Sequence, residues 1–337
     1  MAQRLGGCRF SGSGLGFPVS GSKTLWAWFM VKGAGFALVL ACGLVLSGCA
    51  SHLNDPGRDV EVSNRGHVVL TDQRFSPADW PQALFADVYI PVGDRAAWPA
   101  VLVVHGGGWE RRSREDMAGI SRRLADNGFV AVNIDYRFAP DYRFPAQLHD
   151  LQIAHRWMRA EASRLRIDPD RIAGLGFSSG AHLVALAGLV AGTDSPLNAE
   201  YGPSDNGFFA VVVGGIPSDF DLFSDGRLLR QLMGATREEA PAAYRAASPV
   251  THVHEQSPPF FLFHGTMDQL VPFEHAQVLY DALNERGVHA ELYRMRLRGH
   301  VTSFLTRGGA MRQAIAFLHD MAERPEDALG GLSVPAS

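Results

Sequence analysis

Short apolar runs recur along the chain, and between them lie longer stretches in which apolar residues return every three or four positions. Residues 100–104 (AVLVV) are apolar without a break, the pattern of a strand buried on both faces. Residues 129–134, 172–177, 209–213 and 260–263 repeat it, and 290–293 do so more weakly. The helical period predicts helices over 114–127, 146–164, 181–189, 274–286 and 310–322. Gly128 and Gly287 stand just past two of these, where a left-handed residue often ends the last turn. In 146–164 the apolar positions Leu148, Leu151, Ile153, Ala154 and Trp157 read as core. Upstream, 67–70 and 83–90 predict strands of an antiparallel edge. Strand–helix alternation of this kind implies an α/β fold: a mostly parallel sheet with helices on both faces.

The N-terminal pattern is different. Residues 34–46 (AGFALVLACGLVL) form an uncharged apolar run of 13 residues, and a membrane span needs about 20. With Lys32 before it and small residues after it, the run has the form of a signal-peptide core. Leu46-Ser47-Gly48-Cys49 then resembles the bacterial lipobox, in which the cysteine is lipidated and becomes the mature N-terminus. We therefore expect 1–48 to be an export signal, with Met30 as the true start, and Cys49 to carry a lipid. Residues 49–59, short and polar, read as a tether. The single folded domain is expected over 60–323, with 324–337 as a loose tail. The implied location is the cell envelope, at the outer membrane facing the periplasm, without a transmembrane helix.

Composition narrows the chemistry. The 337 residues are 46% hydrophobic and 20% charged, a globular balance that argues against disorder. Of 31 basic residues four precede Cys49; the remaining 27 are all arginine and face 35 acidic residues, a net charge of −8. That excludes a basic nucleic-acid footprint. The absence of lysine beyond Cys49 removes P-loop, Schiff-base and Ser-x-x-Lys chemistry. Only Cys8, Cys42 and Cys49 occur, so the mature chain has no second cysteine for a disulfide.

Candidate catalytic residues fall where apolar runs end. Gly176-Phe177-Ser178-Ser179-Gly180 follows a predicted strand and opens a predicted helix, the context of a nucleophile elbow with Ser178 at its tip. His105-Gly106-Gly107-Gly108-Trp109 follows the 100–104 strand. Its glycines suit an oxyanion hole, with the N–H groups of Gly107, Gly108 and Ser179 as donors and with His105, Gly106 and Trp109 supporting the loop. Asp268 follows the 260–263 strand, and His300 follows 290–293. The chain order Ser178, Asp268, His300 is that of the α/β-hydrolases, and neither chymotrypsin nor subtilisin uses it. Rival assignments remain: Ser179 as nucleophile, and Asp219 or Asp221 as the acid. His319 reads as a surface residue, and Arg111, Arg112 and Arg114 as a solvated face. His252 and His254 have ligand-like spacing but lack a convincing third partner, so no metal and no cofactor is expected.

These motifs make the resemblance plain. The sequence is similar to the hormone-sensitive-lipase-like esterases of the α/β-hydrolase fold. Asp135-Tyr136-Arg137-Phe138-Ala139-Pro140 with Arg143-Phe144-Pro145-Ala146 resembles that group's DYRLAPE…FPA segment. Trp109 leans toward the exported bacterial branch related to feruloyl and acetyl-xylan esterases, and kynurenine formamidases share the HGG-x-W pattern. Ser179 departs from the alanine more usual after the nucleophile, and the helical N-terminal cap is short. The resemblance implies a serine esterase acting on a small-molecule or polysaccharide-linked ester. An amide hydrolase and a non-catalytic binding module are the other classes. The segment 218–248 is the one candidate wall for the site, and its mixture of apolar and charged residues suggests short or compact acyl groups.

Overall fold

The computed structural model describes residues 50–58, 63–198, 207–224 and 226–324. The expected signal, Met30, Cys49, the expected domain start at Val60 and residues 325–337 lie outside them.

Nine strands of the described residues form one sheet: β1 (Ala50–Leu53), β2 (His67–Arg74), β3 (Phe85–Pro91), β4 (Trp98–Val104), β5 (Val130–Ile134), β6 (Ile167–Phe177), β7 (Val211–Gly214), β8 (Phe260–Gly265) and β9 (Ala290–Met295). Their spatial order is β1-β9-β8-β7-β6-β4-β5-β3-β2. From β5 to β9 all neighbours are parallel; β1, β2 and β3 pair antiparallel at the two edges. The helices are α1 (Ala118–Asp126), α2 (Ala146–Ala160), α3 (Ala162–Leu165), α4 (Ser179–Val190), α5 (Arg227–Met233), α6 (Pro241–Ala246), α7 (Glu274–Glu285), α8 (His300–Leu305) and α9 (Gly308–Glu323). Among the described residues no helix is long and apolar enough to cross a membrane.

The continuous apolar runs are continuous because both faces of the sheet are covered. In β4, Ala100, Leu102 and Val104 join one core cluster, and Val101 and Val103 join the other. β8 divides in the same way, with Phe260 and Leu262 on one face and Phe261 and Phe263 on the other. Helix α4 is buried along its whole length, which explains an apolar composition on every side.

The expected tether is corrected. Ala50–Leu53 is a sheet strand, paired antiparallel with β9 from Ala50↔Met295 to Leu53↔Leu292. The following residues are fastened too. Buried Glu291 accepts from Arg58 at 2.6 and 2.9 Å and from His289 Nε2 at 3.1 Å, and it lies 2.9 Å from His52 Nε2. The folded region thus begins at least ten residues before Val60.

One topological feature positions the chemistry. After β4 the chain pairs β5 on one side of that strand and β6 on the other. Such a reversal opens a crevice at the carboxyl ends of the strands, where open α/β sheets bind ligands. The glycine loop leaves β4 there, and the 176–180 turn leaves β6 beside it.

Candidate active site

Ser178 sits between β6 and α4 with φ 55° and ψ −125°. A non-glycine residue held there costs about 1–3 kcal/mol, and such strain persists only where the surroundings over-determine it. Here the Ser178 N–H donates to Gly214 O at 2.8 Å, and the His182 N–H donates to Ser178 O at 3.0 Å. The turn also lies hard against the end of β4. A Cβ on Gly180 would stand 2.3 Å from Val104 O and 2.5 Å from His105 O, so glycine is required.

Asp268 and His300 meet. The His300 Nδ1–H donates to Asp268 Oδ2 at 2.6 Å, leaving Nε2 as the ring's acceptor. The other carboxylate oxygen accepts the N–H groups of Leu270 at 3.0 Å and Val271 at 2.9 Å. Burial pushes the Asp268 carboxyl up, but bonds from His264, His300 and the Val271 N–H outweigh this and hold it well below the usual carboxylate range. The imidazole packs on Phe177 (5.0 Å between centroids), the residue before Ser178. Gly215, at φ +55°, makes room: a Cβ there would lie 2.9 Å from His300 Cε1.

The glycine loop runs alongside. A Cβ built on Gly106 would be 3.2 Å from Ser178 Cβ, and Gly107 and Gly108 take φ of +123° and +64°. Among the described residues, no protein acceptor takes the N–H of Gly107, Gly108 or Ser179. His105 is fully buried; its Nδ1 lies 2.6 Å from Gly106 O and its ring stacks on Tyr136 at 4.5 Å. Burial pulls its pKa down, which keeps the ring neutral. Trp109 is buried and donates its indole N–H to His182 Nδ1 at 3.2 Å.

Tyr136 entered the sequence reading only as part of the Asp135–Pro140 motif, without a role, and His182 did not enter it. The Tyr136 hydroxyl lies 3.3 Å from both His105 O and Ser179 Oγ, so the extra hydroxyl of Ser179 pairs inside the protein. His182 donates Nε2–H to Ala247 O at 2.7 Å, and burial lowers its pKa to about 4. A tyrosine in a loop after a strand or a lone histidine in an apolar helix gives no signal of this in sequence. The Asp135–Ala146 stretch is fixed by a buried pair, Arg137 to Asp150 at 2.8 Å, which Trp80 joins through its indole N–H at 2.8 Å. A cavity of about 570 Å³ opens beside it, lined by residues including Trp80, Arg143 and His149 but by neither Ser178 nor His300.

The rivals are placed elsewhere. Asp219 accepts from the Asp221 N–H at the start of a short turn, and His300 is paired with Asp268. The spaced histidines reach backbone carbonyls: His252 Nε2 to Ala246 O at 2.8 Å, His254 Nε2 to Leu189 O at 3.1 Å. Two expectations are corrected. Arg114 is not a solvated side chain but a mostly buried one bridging Asp72, Asp87 and Asp135, while Arg111 and Arg112 are exposed. His319 is half-buried, its ring 4.6 Å from Phe129.

The BD-FAE family model matches residues 86–283, more than half of the chain. The chain belongs to the BD-FAE family. Within it, the match takes in the glycine loop, the elbow and Asp268, and it ends before His300. This BD-FAE protein is 36% identical over 197 residues to "Esterase LipC" of Mycobacterium tuberculosis, covering 55% of this chain and 48% of the relative. To "Probable carboxylic ester hydrolase LipM" of the same organism it is 30% identical over 238 residues, covering 67% and 54%. The chain thus spans about half the length of these relatives. A truncated carbohydrate esterase from gut microbiota superposes with a TM-score of 0.70 at 23% identity, covering 79% of this chain and all of that one. The propionate-bound esterase 2 of Thermogutta terrifontis gives 0.60 at 26%, covering 76% and 92%. The chain shares the α/β-hydrolase fold of these solved structures.

Proposed function

We propose that the chain hydrolyses carboxylic esters of short or compact acyl groups, with Ser178 as nucleophile, His300 as base and Asp268 as its orienting acid. The observation that carries the reading is the His300–Asp268 bond of 2.6 Å beside a serine held at positive φ. Asp268 occupies Nδ1, so Nε2 is the nitrogen that takes the Ser178 hydroxyl proton as Oγ bonds to the ester carbonyl carbon. The carbonyl π electrons move to oxygen, and the N–H groups of Gly107, Gly108 and Ser179 receive that charge; one such donor contributes about 3–4 kcal/mol in related chemistry. Collapse expels the alcohol, protonated by His300, and leaves an acyl-Ser178. Water, deprotonated by His300, then releases the acid. The names of LipC and LipM support an ester over an amide substrate.

The second part of the proposal is location: Cys49 carries a lipid and holds the domain at the bacterial envelope, on the periplasmic side of the outer membrane. The lipobox-like Leu46–Cys49 supports it.

Hydrolysis of p-nitrophenyl acetate, compared with an anilide and N-formylkynurenine, tests the reaction class. The ester is expected to turn over fastest. Ser178→Ala should lose about 10⁴-fold or more in kcat with the fold intact. Asp268→Asn should be similarly crippled, while Asp219→Asn and Asp221→Asn stay active; the reverse pattern overturns the assignment. For location, membrane fractionation should recover the wild type with membranes and find Cys49→Ser unprocessed or released.

A further inference from the structure

Eight large apolar side chains are exposed among the described residues, and five belong to the loops that bear Asp268 and His300: Met267, Leu270, Leu297, Val301 and Leu305. These loops are tied together. The Met267 N–H donates to Arg298 O at 3.0 Å, and the Leu297 N–H donates to Thr266 Oγ1 at 3.2 Å. Val301 and Leu305 are four apart on α8 and share a face. Leu297 is 63% exposed and also at φ 56°, a conformation that is costly for a leucine. Folding alone gives no return for a strained, outward-facing leucine.

Charge follows the same outline. From 292 to 319 the sequence has five arginines and no acidic residue, although the chain from Cys49 onward is acidic as a whole. Arg296 is exposed, and Arg298 donates to Thr306 Oγ1 rather than to a carboxylate. The N-terminus supplies the third observation. Ala50 is the Cα partner of Met295, two residues before Leu297, and Cys49 is bonded directly to Ala50. No tether separates the candidate lipid attachment point from this face.

We propose that Met267, Leu270, Leu297, Val301 and Leu305 dock on an anionic lipid bilayer, turning the Asp268 and His300 loops toward the membrane surface. The inference rests on the reading that Cys49 is lipidated, which puts the bilayer next to β1. Apolar side chains then enter the interface while the arginines meet lipid phosphates, the pairing of forces that holds interfacial protein surfaces. The opposite edge of the sheet carries Val68 on β2, eight strand spacings or about 38 Å away, and stays in water.

The test uses the processed protein purified from membranes and placed on vesicles of phosphatidylcholine and phosphatidylglycerol. A spin label is introduced through Leu297→Cys in one variant and Val68→Cys in another. On vesicles, the label at 297 should show a several-fold rise in accessibility to oxygen relative to aqueous nickel, and the label at 68 no change. Both labels remaining water-accessible on protein that floats with vesicles would leave the lipid anchor standing and overturn docking. Failure to float would remove the anchor and the docking together. A label at 297 shielded from both reagents, with a dimeric mass, would assign the face to a second copy of the chain instead. Leu297→Glu/Leu305→Glu should abolish the oxygen signal at a label on Val301→Cys while turnover of p-nitrophenyl acetate by the double variant without that label remains normal, which shows that the fold survives.

Discussion

His182 lies under Trp109 and is fully buried, and His275 is buried against Phe223. Burial lowers both to about 4 from an ordinary 6.5, with the neighbouring His264 ring assisting at His275. The folded state therefore refuses a proton that the unfolded chain accepts. Their stabilising effect is complete above pH 6.5 and is lost as pH falls toward 4, by up to about 3 kcal/mol for each ring. Urea melts should show a falling unfolding free energy from pH 7 to 4.5, and His182→Phe should flatten that dependence. Glu291 shifts in the same direction, but through its partners and against its own burial. Burial alone would raise it, but His289, His52 and Arg58 draw it well below the usual range. Its contribution is complete above the ordinary 4.5 and declines below that. Glu291→Gln should cost about 1.5–3 kcal/mol, since it replaces charge-assisted bonds to Arg58 by those of a neutral amide and leaves Arg58 with Asp320 alone; a melting temperature within a degree of wild type would contradict this. In sequence, Ser178, Asp268 and His300 were legible because each is a polar residue at the end of an apolar run. Glu291, inside a run, was not.

At the scale of elements, the strands of the parallel sheet were readable because burial on both faces leaves four or five apolar residues together. β1 was not. Ala50-Ser51-His52-Leu53 has neither alternation nor length, and its position is set by pairing with β9 and by Glu291, both more than 200 residues away. The 218–248 segment was seen as a wall without any indication of what it touches. Its helix α5 leans over the glycine loop: a Cβ on Gly108 would be 3.1 Å from Leu228 Cδ1, and Arg227 pairs with Glu110 at 2.7 Å. That ion pair is exposed on the arginine side and screened by solvent, so Leu228 is the sharper probe. Leu228→Ala should open the acyl side. We expect kcat/KM for p-nitrophenyl octanoate relative to acetate to rise about tenfold or more. An unchanged ratio would show that α5 does not bound the acyl group.

For the whole molecule, chain order and strand order together explain why three residues distant in sequence converge. β6, β8 and β9 are parallel, so the loops that follow them emerge at one end of the sheet. Sequence gave that end through the right-handed, parallel logic of strand–helix alternation. It did not give the clustering of exposed apolar residues there, because that clustering joins two loops through contacts across β8 and β9. The account as a whole depends on one atom, the Ser178 Oγ, acting as a nucleophile. Mass spectrometry of the protein after treatment with diethyl p-nitrophenyl phosphate tests this most directly. A single diethylphosphoryl group on Ser178, absent in Ser178→Ala and slowed strongly in His300→Ala, is the expected result. Modification at Ser179 with loss of activity, or an active enzyme left unmodified, would contradict it.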